Sequence, residues 1–235
     1  MSKYNLLSVN QDAKTSKGNG DEYITAIQYL APAKQVLNIN VCPMAVIAGC
    51  EKACLYSAGR GAFNNVQQAR IRKTMLWRDD RSAFLSQLCG DIDKFQAYCE
   101  RKDVQPCVRL NGTSDIRFER FEVMQSFPKV KFYDYTKDIR RAYKKLPDNY
   151  HLTLSYSEAN MDYAKQVRQA AKDTGRNMAV VFRSKHNIPE FFAGMKTIDG
   201  DKDDLRFLDP EFRVVALYAK GAAKKDTSGF VIDVN

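Results

Sequence analysis

Residues 130–183 read VKFYDYTKDIRRAYKKLPDNYHLTLSYSEANMDYAKQVRQAAKDTGRNMAVVFR, and three short apolar runs alternate there with two helical patterns. The apolar runs, at 130–136, 150–157 and 178–183, have the length and the branched or aromatic side chains that are typical of strands. The longer helical pattern, 161–175, ends in a glycine, which is a common helix C-cap. Strands that alternate with helices pair in parallel through right-handed crossovers. The segment therefore predicts an α/β domain.

The same alternation extends to both sides of this segment. Upstream, residues 36–41 predict the first core strand and residues 104–112 the second, with two helical patterns within 64–100 as a long crossover. Asn64 and Asn65 are suitable caps for the first of these helices. Downstream, apolar runs around FAGMKTID and RVVALYA predict the last short strands. The predicted fold is a partial (β/α) barrel of about six or seven mostly parallel strands, since a full barrel typically takes ~250 residues.

The chain divides into two parts on composition. Residues 1–28 are mainly polar and are assigned to an N-terminal arm or cap. Residues 29–235 form a single α/β domain, because no internal repeat and no linker divides them. This domain includes a cysteine loop at 42–61.

Composition indicates a globular cytoplasmic protein. The chain has 235 residues and is 44% hydrophobic, and its N-terminus lacks the apolar centre of a secretory signal. No apolar run approaches the roughly 20 residues of a membrane span, so we expect no membrane partner. A net charge of +9 favours contact with something anionic, whether nucleic acid, a phosphorylated metabolite or a carboxylate. The six cysteines are expected to be reduced, which favours metal or redox chemistry over structural disulfides.

The loop CPMAVIAGCEKACLYSAGRG, residues 42–61, carries Cys42, Cys50 and Cys54. Its glycines allow the backbone to curl, so that three thiolates can converge and N–H groups can point toward them. Structural zinc is usually held by four ligands, often as CxxC pairs, and no such pair is present. The spacing therefore predicts an iron–sulfur cluster, most simply a 4Fe-4S cluster with one open iron that can take a small-molecule or anionic ligand.

Two other interpretations of this loop stay open. The cysteines could be packed free thiols, or they could bind zinc with a fourth ligand from elsewhere in the chain. The candidates for that fourth ligand are Cys89, Cys99, Cys107, His151 and His186.

Polar residues follow each predicted strand, where the chemistry of parallel α/β sheets gathers. The candidate binding residues at these positions are Asn111, Gly112, Ser114, Asp115, Lys137, Ser155, Ser157 and Arg183. No catalytic residue is assigned among them.

The chain resembles the radical S-adenosylmethionine (SAM) superfamily, in which a three-cysteine loop follows the first strand of a partial barrel. More closely, it is similar to a group of tailed-phage proteins, the gene product 88 family. The resemblance extends over roughly residues 30–160. It rests on the cysteine loop, on QQARIRKT and DDRSAF, and on VRLNGTSD, VKFYDYTK and LPDNYHLTLSYS.

This resemblance implies roles for the candidate residues. The three cysteines would ligate a 4Fe-4S cluster whose unique iron chelates SAM. The 111–115 loop would contact the methionine amino group, with Asp115 as the acceptor. Ser155 and Ser157 would approach the ribose, and Lys137 or Arg183 would meet the carboxylate.

The resulting function hypothesis is a phage iron–sulfur protein of radical SAM-like fold in the host cytoplasm, acting as an enzyme on a nucleotide or nucleic acid. The alternative is a non-enzymatic cluster-containing or zinc-containing module, for binding or redox sensing, that contacts nucleic acid or a host protein. In that alternative Arg70, Lys73 and Arg78 would contact phosphates. The sequence leaves open which of the two applies.

Overall fold

The computed structural model describes residues 5–9, 22–54, 56 and 58–234, and its centre is a ten-stranded, mostly parallel sheet. Its strands are β1 Leu7–Val9, β2 Tyr23–Gln28, β3 Gln105–Arg109, β4 Lys131–Thr136, β5 Tyr150–Ser155, β6 Met178–Phe182, β7 Phe191–Phe192, β8 Met195–Asp199, β9 Val214–Tyr218 and β10 Val231–Ile232. The α-helices of the described residues are α1 Asn64–Asp79, α2 Arg81–Arg101, α3 Val123–Ser126 and α4 Met161–Thr174. None of these helices is long and apolar enough to cross a membrane.

The strand order is β1-β2-β3-β4-β5-β6-β9-β8-β7, and every pair from β2 to β8 is parallel. The outer strands β1 and β7 pair antiparallel with their neighbours. Strand β5 pairs with the start of β6, and β10 pairs with its end. Within the described part of the chain the two edges do not meet, so the sheet is open. The predicted α/β class with a mostly parallel sheet is confirmed, whereas the predicted number of six or seven strands is too low, because short edge strands extend the sheet to ten.

The strand predicted at 36–41 is wrong. Ala33 and Asn38 have φ values of 49° and 62°, in the left-handed region, and Pro32 has no N–H to donate to a strand partner. The first parallel strand is instead β2, which lies with β1 inside the range 1–28 that the sequence assigns to an arm. Residues 10–21 of that range lie outside the described residues. The cysteine loop still follows the first parallel strand, at the start of the crossover to β3.

The two faces of the sheet differ in chemistry. On one face, Ile24, Val108, Phe132 and Leu152 pack with Trp77 of α1 and with four buried side chains of α2, namely Phe84, Leu88, Ile92 and Phe95. Helix α4 covers the same face beside β5 and β6. The opposite face, here called the polar face, carries Arg109, Tyr133, Tyr135, His151 and Thr153. Leu205 and Phe207 of the segment before β9 pack against it.

Candidate functional site

One ammonium group at the end of β4 lies within electrostatic range of all three cysteines of the loop. Lys137 follows directly after this strand, and its partly buried side chain interacts electrostatically with Cys50, Cys42 and Cys54. Burial by itself lowers the pKa of Lys137, but the cysteines in their thiolate form and Asp115 outweigh burial and raise that pKa above its usual value. The predicted loop and the predicted polar residue after β4 therefore meet at one place.

Short turns bring the cysteines to this position. The backbone N–H of Ala48 donates to Met44 O at 3.0 Å, and that of Cys50 donates to Ala45 O at 3.1 Å, so residues 44–50 curl like a helical turn. Cys42 Sγ donates to Thr113 O at 3.5 Å, and Cys50 Sγ donates to Ala45 O at 3.7 Å. All three thiols are partly buried.

Burial makes two of these thiols, Cys42 and Cys54, poor acids when nothing but protein surrounds them. It raises the pKa of Cys42 to about 12 and also raises the pKa of Cys54. The backbone N–H groups of Ala33 and Tyr56 and the Lys137 ammonium act in the opposite direction, because they stabilise the thiolates. A metal that replaces the protons would thus find donors already placed for anionic sulfur.

Asp115 is held firmly beside Lys137. Its Oδ1 accepts hydrogen bonds from Thr136 Oγ1 and from Arg141 Nη1, both at 2.8 Å, and its Oδ2 accepts from the Lys137 backbone N at 2.8 Å. Arg141 is fully buried and also pairs with Glu119. Asp115 therefore fixes the start of the loop after β4, and its carboxylate is already occupied.

Ser155 and Ser157 connect β5 to the same place. Lys137 Nζ donates to Ser155 Oγ at 3.2 Å, and Ser157 Oγ donates to Ala48 O in the cysteine loop at 2.7 Å. The ammonium also lies 5.6 Å from the ring centroid of Phe230, just before β10. Segments distant in sequence thus enclose Lys137 on several sides.

Asn111, Gly112 and Ser114 brace the loop after β3. Asn111 donates from its backbone N and its side-chain Nδ2 to the Asp134 carboxylate at 2.8 and 3.1 Å, and its Oδ1 accepts from Ser114 Oγ at 2.8 Å. Gly112 lies against the Tyr29 ring, which a Cβ would approach to 2.6 Å. Their described contacts are internal to the protein.

Arg183 lies in a different environment. Its guanidinium binds Asp233 at 2.9 Å and donates to the backbone carbonyls of Ala223, Lys224 and Asp226. Arg183 thus binds the C-terminal segment to the loop after β6. Lys137 is the candidate cation that interacts with the cysteines.

The sequence did not single out Arg141, Phe230 or the environment of Arg70. Arg70 belongs to a basic helical run that is typical of a solvated face, yet it is only 8% exposed. Its guanidinium lies 4.7 Å from the Tyr29 ring centroid, and it donates to Tyr56 O in the cysteine loop at 3.3 Å. It also lowers the pKa of Cys54, although less than burial raises it. No sequence signal separates this arginine from its exposed neighbours.

The chemistry of this donor set fits an iron–sulfur cluster. One loop supplies three thiols, backbone N–H groups donate toward two of them, and an ammonium group is nearby. Within the described residues, no three Cys, His, Asp or Glu side chains lie at metal-binding distances from one another. Cys42 and Cys50 donate to backbone carbonyls instead, so metal binding would require these side chains to turn toward a common centre.

The candidates for a fourth ligand are spread over the fold. Cys99 is buried in the helix-covered core, and Cys107 lies on β3 beside Tyr133. His151 is on the polar face, and His186 is exposed in the loop after β6. Cys89 is partly buried on α2.

Comparison with known proteins gives one match. The model of a family described as gene product 88 matches residues 4–234. No curated protein and no solved structure matches the chain.

Proposed function

The chain belongs to the gene product 88 family, and we propose that it is an iron–sulfur protein whose cluster is held by Cys42, Cys50 and Cys54. The observation that supports this most is the electrostatic interaction of the three loop cysteines with the Lys137 ammonium, which Ser155 holds at the end of β5, where Ser157 binds the cysteine loop. A cluster bound by three thiolates is anionic, and a nearby cation stabilises it. Isolated packed thiols would not need such a partner.

The location of the site agrees with this proposal. The cysteines meet Lys137 and Ser155 at the carboxyl ends of β4 and β5, which is where parallel sheets place their ligands. We further propose that the open sheet is a partial barrel of the radical SAM type and that SAM would bind the open iron. A reduced cluster would supply the electron for the chemistry of that cofactor.

The protein's own residues have distinct tasks in this proposal. Lys137 is the cation available to a carboxylate ligand, while Ser155 orients its ammonium. Asp115 positions the backbone of Lys137, and its occupied carboxylate makes it a weaker acceptor for a ligand ammonium than the sequence suggests. An enzyme that acts on a nucleotide or nucleic acid remains the proposed class.

Metal analysis tests the cluster. Protein purified without oxygen should contain iron and labile sulfide and should give an electron paramagnetic resonance signal after reduction. The triple variant Cys42→Ala, Cys50→Ala, Cys54→Ala should lose both, whereas Cys89→Ala on α2 should keep them. Unchanged iron in the triple variant would refute the assignment, and zinc without iron would favour the zinc alternative.

A separate assay tests SAM chemistry. The reduced protein is incubated with SAM, and deoxyadenosine and methionine are measured. Their formation, and its loss in the triple variant, would support radical chemistry. If neither product forms with protein that contains its full cluster, the radical SAM part is rejected and the cluster stands.

The alternative of a nucleic-acid-binding basic helix loses part of its support. Lys73 Nζ donates to Leu6 O at 2.8 Å, and Arg78 pairs with Asp79 and donates to Leu37 O at 2.9 Å. Because Arg70 is also buried, all three residues named for phosphate contacts serve internal contacts. We therefore do not propose this surface as the functional one.

A further inference from the structure

A cleft of about 290 Å³ opens between the start of the cysteine loop, helix α1 and the loops after β3 and β4. Its apolar wall includes Pro43, Met44, Trp77 and Phe121. This volume is near the lower end of the roughly 300–1,000 Å³ of small-molecule sites. The cleft therefore suits one small ligand. It adjoins the cysteine loop, because Pro43 of its wall directly follows Cys42.

The rest of the wall is strongly basic. Arg117, Arg120 and Arg140 line it, together with Asp138 and Asp115. Asp115 is paired with the buried Arg141 outside the lining, a cation that it shares with Glu119. The lining carries three guanidinium groups against two carboxylates, so its net charge is positive and the cleft favours an anion.

Asp138 pairs with two of these arginines. Its carboxylate accepts from Arg117 Nε at 2.8 Å and from Arg117 Nη2, and from Arg140 Nε at 2.9 Å. Each of these arginines bonds Asp138 through Nε and Nη2, so its Nη1 is not used for this carboxylate. The Arg117 side chain is only 20% exposed and is fixed by this pair, whereas Arg140 is 75% exposed and can turn. A fixed guanidinium binds phosphate well, because less side-chain freedom is lost on binding.

Arg120 completes the basic rim. It is exposed, and no side-chain hydrogen bond or ion pair joins it to another residue in the described parts of the chain. It can therefore turn toward a ligand without breaking an internal contact.

We propose that this cleft binds a nucleotide, with its phosphate at Arg117, Arg120 and Arg140 and its base against the apolar wall. The combination of a basic rim and an apolar wall fits a small molecule that carries a phosphate next to a flat ring. The inference does not depend on a metal at the cysteines, because none of these groups is a proposed cluster ligand.

Trp77 provides the measurement, because it is the only tryptophan of the chain and it lines the cleft. Its fluorescence is followed while adenosine, guanosine, cytidine and uridine monophosphates, adenosine and inorganic phosphate are each added, and calorimetry gives the dissociation constants independently. At least one nucleotide should bind more tightly than both adenosine and inorganic phosphate. Arg120→Ala should weaken that binding about tenfold.

Arg101→Ala is the matched control, since it removes the same charge from the exposed end of α2. At constant salt it should leave the dissociation constant unchanged. Circular dichroism checks that both variants are folded. The proposal is overturned if no nucleotide binds, if phosphate alone binds as tightly as the nucleotide, or if the two arginine variants weaken binding equally.

Discussion

Lys137 Nζ donates a hydrogen bond to Ser155 Oγ at 3.2 Å, and this bond joins the carboxyl ends of β4 and β5 beside the three loop cysteines. The two residues are distant in sequence, and parallel pairing of their strands brings them together. The ammonium is thereby directed to one side of the sheet edge. Its surroundings give the first prediction.

Replacing Lys137 with methionine should lower the reduction potential of the proposed cluster. The reduced cluster carries one more negative charge, and loss of a nearby cation disfavours that state. A redox titration followed by electron paramagnetic resonance measures the change. Lys196→Met, at an exposed position of β8, is the control and should leave the potential unchanged. An unchanged or higher potential in the Lys137 variant would contradict the proposed position of the cluster.

Arg141 should be essential for stability although it is outside the cysteine loop. It is fully buried and pairs with Asp115 at 2.8 Å and Glu119 at 2.9 Å. Arg141→Met keeps a similar volume but leaves two largely buried carboxylates without their cation, which should cost about 3–5 kcal/mol of unfolding free energy. Urea denaturation measures this loss.

Lys144→Met is the matched control for Arg141, because it removes a charge from an exposed position of the same segment. Its unfolding free energy should change by less than ~0.5 kcal/mol. Equal effects of the two substitutions would show that the buried pairs contribute nothing specific.

A glycine-to-alanine substitution should have opposite effects at two positions. At Gly112 the added Cβ would lie 2.6 Å from the Tyr29 ring and 2.7 Å from Ile27 Cγ2, so Gly112→Ala should destabilise by about 1–3 kcal/mol. At Gly90, inside α2, nothing lies within 4 Å of the added carbon, and Gly90→Ala should stabilise by about 0.5–1 kcal/mol. Thermal denaturation compares the two. Stabilisation by both would mean that the loop after β3 is not packed against Tyr29.

The sequence predicts the strands of this fold well where local pattern and tertiary environment agree. The apolar runs that predict strands between residues 104 and 183 correspond to β3, β4, β5 and β6. Gly175 ends α4 with a φ of 69°, as predicted. The segment 36–41 fails because Ile39 and Val41 pack on the helix-covered core from an irregular chain, while Leu37 is exposed to solvent. The shorter helical pattern of the 130–183 segment, at 139–146, forms only a 3-10 turn, Ile139–Arg141. A longer helix does not form because Arg141 turns inward to its carboxylate partners. The N-cap of α1 is Phe63 rather than an asparagine, although Asn65 Oδ1 accepts from the Val66 N–H of the first turn at 2.9 Å.

The candidate site could be predicted only in part. A cluster of cysteines and the positions after strands can be read from the chain, and this identified Cys42, Cys50, Cys54, Lys137 and Ser155. The partners of Asp115, the buried state of Arg70 and the C-terminal contacts of Arg183 arise from segments far apart in sequence. No local sequence pattern predicts these contacts, because a charged residue gives the same pattern whether its side chain is solvated or forms an ion pair in the protein interior.

His151 should make the protein sensitive to mild acid. Burial, with Arg176 and Arg206, lowers its pKa from 6.5 to about 4, so the unfolded chain binds this proton more readily than the folded one. The stability that His151 contributes in its neutral form is complete above pH 6.5 and is lost as the pH falls toward 4. Replacing it with glutamine should therefore reduce the loss of unfolding free energy between pH 7 and pH 4.5 by about 2–3 kcal/mol. Urea denaturation at both pH values measures the difference, and His186→Gln, at an exposed position, should retain the full loss. If the two histidine variants respond to acid alike, His151 is not buried in neutral form on the polar face.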